Sequence, residues 1–217
     1  MSGQNSPLAP FGGFRRSGQK MAKRLALDVQ LQDEARFLKS WFDRPLITGA
    51  VSPSGKQLAR TMARYVDVTV PGPVIELGPG TGPVTEALIR HGVAEERLIL
   101  VEFNPDFCRL LHKRFPKATI IEGDAYRLQA TLGPLMERAA AVVSSLPLFT
   151  RPEIQRTNLL QTSFKLMQPG APFIQFTYAT VSPIPLRNRD FDVEVSPRVW
   201  LNLPPARVWV YRKDEDA

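Results

Sequence analysis

The chain has 217 residues, 43% of them hydrophobic and 9% aromatic, and a formal net charge of +7. That size and composition suit one ordinary domain with some decoration and exclude a wholly disordered chain. A single cysteine, Cys108, excludes an internal disulfide framework and fits a reducing compartment. The polar first residues predict no cleavable signal. The longest apolar run, Ala139 to Phe149, is too short to span a bilayer and contains Ser144, Ser145 and Pro147.

The charge is unevenly placed. Arg15, Arg16, Lys20, Lys23 and Arg24 stand in the first 24 residues without an acidic partner, leaving only +2 for the rest. Residues 1–19, rich in Ser, Gly, Pro and Gln, are expected to form a disordered basic arm. Its charge would attract an anionic surface, either nucleic acid or phospholipid. Residues 20–43 predict an amphipathic helix: Met21, Leu25, Leu31, Ala35, Leu38 and Phe42 share a face, while Phe37 and Trp41 lie on another. Two apolar surfaces suggest lipid on one side and the domain on the other; a helix that merely caps the domain is the alternative. Asp43-Arg44-Pro45 ends it.

Residues 44–217 read as an α/β domain. A second helix is expected over Lys56–Tyr65, then strands near 73–77, 97–102, 118–121, 139–144, 171–178, 197–202 and 207–212. Helices are expected near 83–91, 105–114, 126–137 and 152–167. The alternation predicts a mostly parallel sheet, and the turn Asn202–Ala206 predicts that the last two strands form an antiparallel hairpin. In such a sheet ligands bind beyond the carboxyl ends of the strands. Those positions hold Glu76-Leu-Gly78-Pro-Gly80-Thr-Gly82, then Glu102-Phe103, Glu122-Gly123-Asp124-Ala125-Tyr126, Ser144-Ser145-Leu146-Pro147-Leu148-Phe149, and Tyr178. Glycines between a strand and a helix let backbone N–H groups face a ligand closely. Glu102, twenty residues beyond Gly82, stands where a βαβ unit grips a nucleotide ribose. Two separated histidines and one cysteine give no metal-ligand cluster, so no metal is expected. Cys108 reads as a buried small residue.

Glu76-Leu-Gly-Pro-Gly-Thr-Gly82, Val101-Glu102, Glu122-Gly-Asp124-Ala125 and Ser144-Ser-Leu-Pro-Leu148 resemble the class I S-adenosylmethionine-dependent methyltransferases. The third glycine comes two residues after the second, unlike the usual nicotinamide-dehydrogenase pattern. The resemblance implies a Rossmann-like fold with a seven-stranded sheet and S-adenosylmethionine as cofactor. It implies Glu102 on the ribose and Asp124 on the adenine amino group, with Glu76, Gly78, Gly80, Gly82, Phe103, Gly123, Ala125 and Ser144 completing the cofactor site.

Longer stretches are similar to bacterial phospholipid N-methyltransferases, which convert phosphatidylethanolamine to phosphatidylcholine. These are Trp41-Phe-Asp-Arg-Pro-Leu-Ile-Thr-Gly-Ala-Val-Ser-Pro53, Val101–Cys108, Phe173–Tyr178 and Arg198–Tyr211. They imply methyl transfer to a lipid amine by a cytoplasmic enzyme, peripheral on the inner face of the bacterial membrane. Its partners would be anionic phospholipid and phosphatidylethanolamine, not nucleic acid. The head group needs aromatic faces and a deprotonated amine. Tyr178 is the catalytic candidate, with Trp41 and Phe149 as lining and Arg151, Arg198 and Arg207 as partners for the lipid phosphate. No general base stands out, since His91 and His112 fall on helices away from the strand ends. The alternatives are another lipid amine such as an ornithine lipid, a ribosomal RNA adenine dimethylase, and a membrane-binding module with a vestigial core. The RNA enzymes carry Asn-Leu-Pro-aromatic after the fourth strand; here the turn is Ser145-Leu146-Pro147-Leu148.

Overall fold

The computed structural model describes residues 53–134, 137–187, 189–202 and 204–213. The basic arm, the helix expected over 20–43 and Trp41 lie outside these residues. Strands and helices alternate in the order α1 (Pro53–Ala63), β1 (Val74–Leu77), α2 (Pro83–His91), β2 (Leu98–Glu102), α3 (Pro105–Arg114), β3 (Thr119–Glu122) and α4 (Leu128–Leu132). There follow β4 (Ala141–Ser144), α5 (Glu153–Leu166), β5 (Phe173–Thr177), β6 (Asp192–Val195) and β7 (Arg207–Arg212). The strands form one sheet in the order β3-β2-β1-β4-β5-β7-β6. The pairs among β1 to β5 are parallel, and β7 runs antiparallel to both neighbours. Strand order therefore reverses between β1 and β4.

Period-two alternation sorts the strand residues between two cores. Val74, Leu98, Leu100, Ala141, Val143, Ile174, Phe176, Val208 and Val210 pack with α1, α2 and Leu111 of α3. Ile75, Leu77, Val101, Val142, Phe173, Trp209 and Tyr211 face the other way, against the turn at Ala125 and helices α4 and α5. Central strands β1, β4 and β5 are buried along their whole length, which is why they read as continuous apolar runs. Edge strands β3 and β6 are largely exposed.

Local signals set the helix starts. Proline opens α2 after Gly82 and α3 after Asn104, where its missing N–H costs no hydrogen bond. The Asn104 side chain caps α3 by accepting from the Asp106 N–H at 2.8 Å. Arg97 ties down the loop before β1, donating to the carbonyls of Gly72 (2.8 Å), Val68 (2.9 Å) and Val70.

Three elements depart from the sequence reading by more than two residues. Helix α1 begins at Pro53, three residues before the expected Lys56, because proline suits a first helical turn. The helix expected over 126–137 is a 3-10 turn followed by the five residues of α4. Gly133 at φ 63°, followed by Pro134, stops it. The strand expected over 197–202 lies instead at Asp192–Val195, still antiparallel to β7. Pro197 brings no N–H, and residues 197–202 contribute only the bridge Val199–Ala206 and a turn.

Candidate functional site

One row of residues crosses all seven strands near their carboxyl edge: Ile121, Val101, Leu77, Ser144, Gln175, Trp209 and Val195. The candidate residues stand just beyond it, in two groups on either side of the reversal between β1 and β4.

The first group gathers around the glycine loop. Gly78, Gly80 and Gly82 have φ of 68°, 57° and 84°, left-handed values that favour glycine. Their surroundings separate their duties. A Cβ on Gly82 would come within 2.5 Å of the Phe115 ring, and one on Gly78 within 2.9 Å of Leu146 Cδ2. A Cβ on Gly80 would meet nothing within 4 Å, so the loop turns its open side outward there. Glu102, only 6% exposed, holds the loop to β2: one carboxylate oxygen accepts from the Gly80 N–H at 3.0 Å and the other from the Asn104 N–H at 2.9 Å. The sequence pairing of Glu102 with the glycines is thus direct contact.

Glu76 is fully buried on the same face of the sheet. One of its oxygens accepts from Thr85 Oγ1 at 2.7 Å, while the other, Oε1, has no protein partner. Burial, reinforced by the nearby Glu102 charge, pushes its pKa up to about 8 despite the Thr85 hydrogen bond. Thr85 is a site residue that the sequence reading missed. Its signal was a hydroxyl in the first helical turn after the glycines.

After β3, Gly123 donates to the Glu102 carbonyl at 2.9 Å, and its missing Cβ leaves room for Thr131. Asp124 caps the 125–127 turn, accepting from the Tyr126 N–H at 2.9 Å. Ala125 packs into the core, so its side chain positions the loop and offers no polar contact. Beside Glu102 the Phe103 ring is 76% exposed. Cys108 is buried against the Glu102 carbonyl, and burial with nearby carboxylates raises its pKa to about 11.

The second group lies beyond β4, β5, β7 and β6. Ser144 is buried, and the Leu146 N–H reaches its hydroxyl at 3.4 Å. Gln175, which the sequence reading also missed, braces this turn from β5: its amide donates to the carbonyls of Leu146 (3.1 Å) and Phe176 (2.7 Å). An amide inside an otherwise apolar strand was the signal. Tyr178 is half-buried, edge-on to Phe176 at 5.6 Å, and packs on the α1–α2 face that also carries Glu76 and Glu102. Phe149 carries the Arg156 guanidinium on one face at 5.2 Å, and Tyr126 carries that of Arg151 at 4.7 Å. Burial pushes the Tyr126 hydroxyl up to about 12, so it stays protonated. Arg207 faces Thr177 across the β5–β7 ladder, and Arg198 stacks on Trp200 at 5.6 Å; the Nε of each is buried without a partner. His91 and His112 are exposed on their helices. Among the described residues no group of three His, Cys, Asp or Glu could hold a metal ion, and no helix is long and apolar enough to cross a membrane.

The arrangement suits an adenosine-bearing cation. Gly80 leaves room for close approach, the Phe103 ring offers a stacking face, and the Glu102 carboxylate makes the loop electronegative.

No protein-family model matches the chain. It is 32% identical over 190 residues to the ornithine lipid N-methyltransferase of Singulisphaera acidiphila, a match covering 84% of the chain and 97% of that protein. It is 34% identical over 115 residues to the ribosomal RNA small subunit methyltransferase A of a Synechococcus strain, but that match covers 52% of the chain and only 36% of the relative. Among solved structures it resembles the N-methyltransferase NodS of Bradyrhizobium japonicum bound to S-adenosyl-L-homocysteine, with a TM-score of 0.60 and 13% identity over 84% of the chain and 99% of NodS. A strand order of 3-2-1-4-5-7-6, a glycine loop anchored to a carboxylate at the end of β2, and a colinear relative lead to one conclusion: the chain belongs to the class I S-adenosylmethionine-dependent methyltransferases and is an N-methyltransferase.

Proposed function

We propose that this enzyme methylates the amine of a membrane lipid while bound to the cytoplasmic face of a bacterial membrane. The observation that carries the reading is the near end-to-end match to an ornithine lipid N-methyltransferase, which makes ornithine lipid the first acceptor to test. Phosphatidylethanolamine, with its mono- and dimethyl intermediates, is the second. It is supported by the sequence similarity over 173–178 and 198–211. Both acceptors pair an aliphatic ammonium with an anionic group, and both suit a site that combines an aromatic ring with arginines. An RNA base fits less well, because Leu148, where the RNA enzymes place a stacking ring, is 2% exposed and packed in the core.

S-adenosylmethionine supplies an electrophilic methyl group on a sulfonium. The loop of Gly78, Gly80 and Gly82, with Glu76, Glu102, Phe103, Gly123, Asp124, Ala125 and Ser144 around it, would hold that cofactor. Tyr178, on the face that carries both carboxylates, would accept a hydrogen bond from the acceptor amine at Oη and aim its lone pair. Trp41 and Phe149 would line the acceptor side, and Arg151, Arg198 and Arg207 would bind the lipid's anionic group. The ammonium proton would leave to water as the aromatic wall excludes bulk solvent. Residues 1–43 would bring the enzyme to the anionic surface.

The test is incubation of the full chain with methyl-labelled S-adenosylmethionine and vesicles of ornithine lipid, of phosphatidylethanolamine, or of neither, alongside ribosomal RNA. Label in the lipid phase of an amine-containing sample is expected. Label in RNA alone, or in no sample, would overturn the reading. Tyr178→Phe should keep cofactor affinity and lower kcat by roughly tenfold to a hundredfold, the value of one hydrogen bond to an amine that becomes cationic as the methyl group is transferred.

A further inference from the structure

The described residues expose six large hydrophobic side chains, and five of them sit at the carboxyl edge of the sheet. Phe103 follows β2, Ile154 is in the first turn of α5, Val195 ends β6, and Trp200 and Leu201 follow in the connection to β7; Leu186 is the sixth. Trp200 and Leu201 form the sharpest feature. They are 72% and 75% exposed, while their flanking residues Val199 and Asn202 are 8% and 3% exposed.

The turn is held by its own hydrogen bonds. Val199 and Ala206 bridge across its base, with Val199 N–H donating to the Ala206 carbonyl at 2.8 Å. Asn202 donates through Nδ2 to the Pro204 carbonyl at 2.7 Å. Below it, Ser196 Oγ accepts from the Val208 N–H at 2.9 Å. A braced turn thus projects an indole and an isobutyl group outward from a fixed base.

We propose that the Trp200–Leu201 turn is an insertion tip that seats the carboxyl edge of the sheet on an anionic phospholipid bilayer. The chemistry around it favours lipid. Between residues 196 and 207 there are two arginines, Arg198 and Arg207, and no acidic residue. Arg198 stacks on the Trp200 ring, which sets a cationic charge beside the indole. Two projecting side chains fall far short of the roughly 800 Å² per partner that a stable protein interface buries. They do suit shallow, reversible insertion into lipid. The same edge carries the glycine loop and Tyr178, so docking there would hold the active site against the surface from which a lipid amine must come. The choice of a bilayer as occupant rests on the lipid-amine reading; the test below does not depend on it.

Full-length protein carrying Trp41→Phe is mixed with phosphatidylglycerol vesicles, which contain no amine lipid, with brominated acyl chains. The remaining indoles are Trp200 and Trp209, and Trp209 is buried at 8% exposure. Bromine quenching of the fluorescence is expected, and it should disappear when Trp200→Phe is added. Trp200→Ser with Leu201→Ser should weaken vesicle binding at least tenfold, with an unchanged melting temperature and unchanged affinity for S-adenosylmethionine. Absence of quenching in the Trp41→Phe chain, wild-type vesicle affinity in the double-serine variant, or a lipid-free dimer that this variant abolishes would each overturn the proposal. Vesicle binding that depends on Trp200 in an enzyme that methylates no lipid would sustain the tip and defeat the acceptor assignment instead.

Discussion

Glu76 and the three glycines show how single residues divide the work of one loop. At neutral pH the buried Glu76 carries a proton that the unfolded chain has already released. Its folded pKa, about 8, lies above the unfolded value of 4.5, so stability from this group is fully present below about pH 4.5 and drains away as pH rises toward 8. The slope approaches about 1.4 kcal/mol per pH unit across that window. Glu76→Gln should flatten this part of the stability profile, measured by denaturant unfolding of the cofactor-free protein at several pH values. A profile unchanged by the substitution would contradict the assignment. The glycines make a second, contrasting prediction. Gly80→Ala costs about 1–2 kcal/mol for a left-handed alanine and puts a methyl group into the open side of the loop. It should fold and lose S-adenosylmethionine affinity in calorimetry. Gly82→Ala adds a collision with the Phe115 ring and should unfold at a clearly lower temperature than Gly80→Ala. From sequence the three glycines are equivalent; the rings and side chains packed behind them come from distant parts of the chain, so their different duties were not legible there.

Among the elements, strands buried on both faces were the easiest to read and an exposed edge the hardest. Val74–Leu77, Ala141–Ser144 and Phe173–Thr177 announce themselves as apolar runs because helices cover both sides. The edge strand Asp192–Val195 alternates polar and apolar residues and is short. The more apolar stretch after Pro197 looks like the better strand, yet it forms a braced turn in which Val199 packs into the core while Trp200 and Leu201 point into solvent. The hydrophobicity of those two residues marks a surface and not a core. Hydrogen exchange should separate the two accounts: the β6 amides that face β7 should be protected, while those of Arg198, Trp200 and Leu201 exchange quickly. Equal protection across the amides of 198–202 would restore the strand that the sequence suggested. Gln175 belongs to this scale as well, since it joins β5 to the turn after β4. Gln175→Leu strips the Leu146 carbonyl of its donor and should lower kcat, with cofactor affinity retained, through displacement of that turn.

For the molecule as a whole, alternation of strands and helices was enough to predict a parallel α/β domain with ligands at its carboxyl edge. Strand order was not derivable from that pattern, because crossovers leave no local signal; the order β3-β2-β1-β4-β5-β7-β6 came with the structure. The sheet sets residues far apart in the chain along one edge: the reversal between β1 and β4 parts the glycine loop, Glu102 and Asp124 from Ser144, Tyr178, Arg198 and Arg207, while Arg151 reaches back to stack on Tyr126. The residues proposed for the acceptor were the less legible, since aromatic and arginine side chains serve packing as readily as binding, and the rings of Phe149 and Tyr126 each carry an arginine. The most direct measurement is lipid mass spectrometry of a bacterial host that makes ornithine lipid and phosphatidylethanolamine but no methylated forms, expressing either the natural chain or Glu102→Ala. The account predicts N-methylated ornithine lipid or phosphatidylethanolamine with the natural chain and none with the variant. An unchanged lipid profile in cells that accumulate folded, S-adenosylmethionine-binding protein would contradict it.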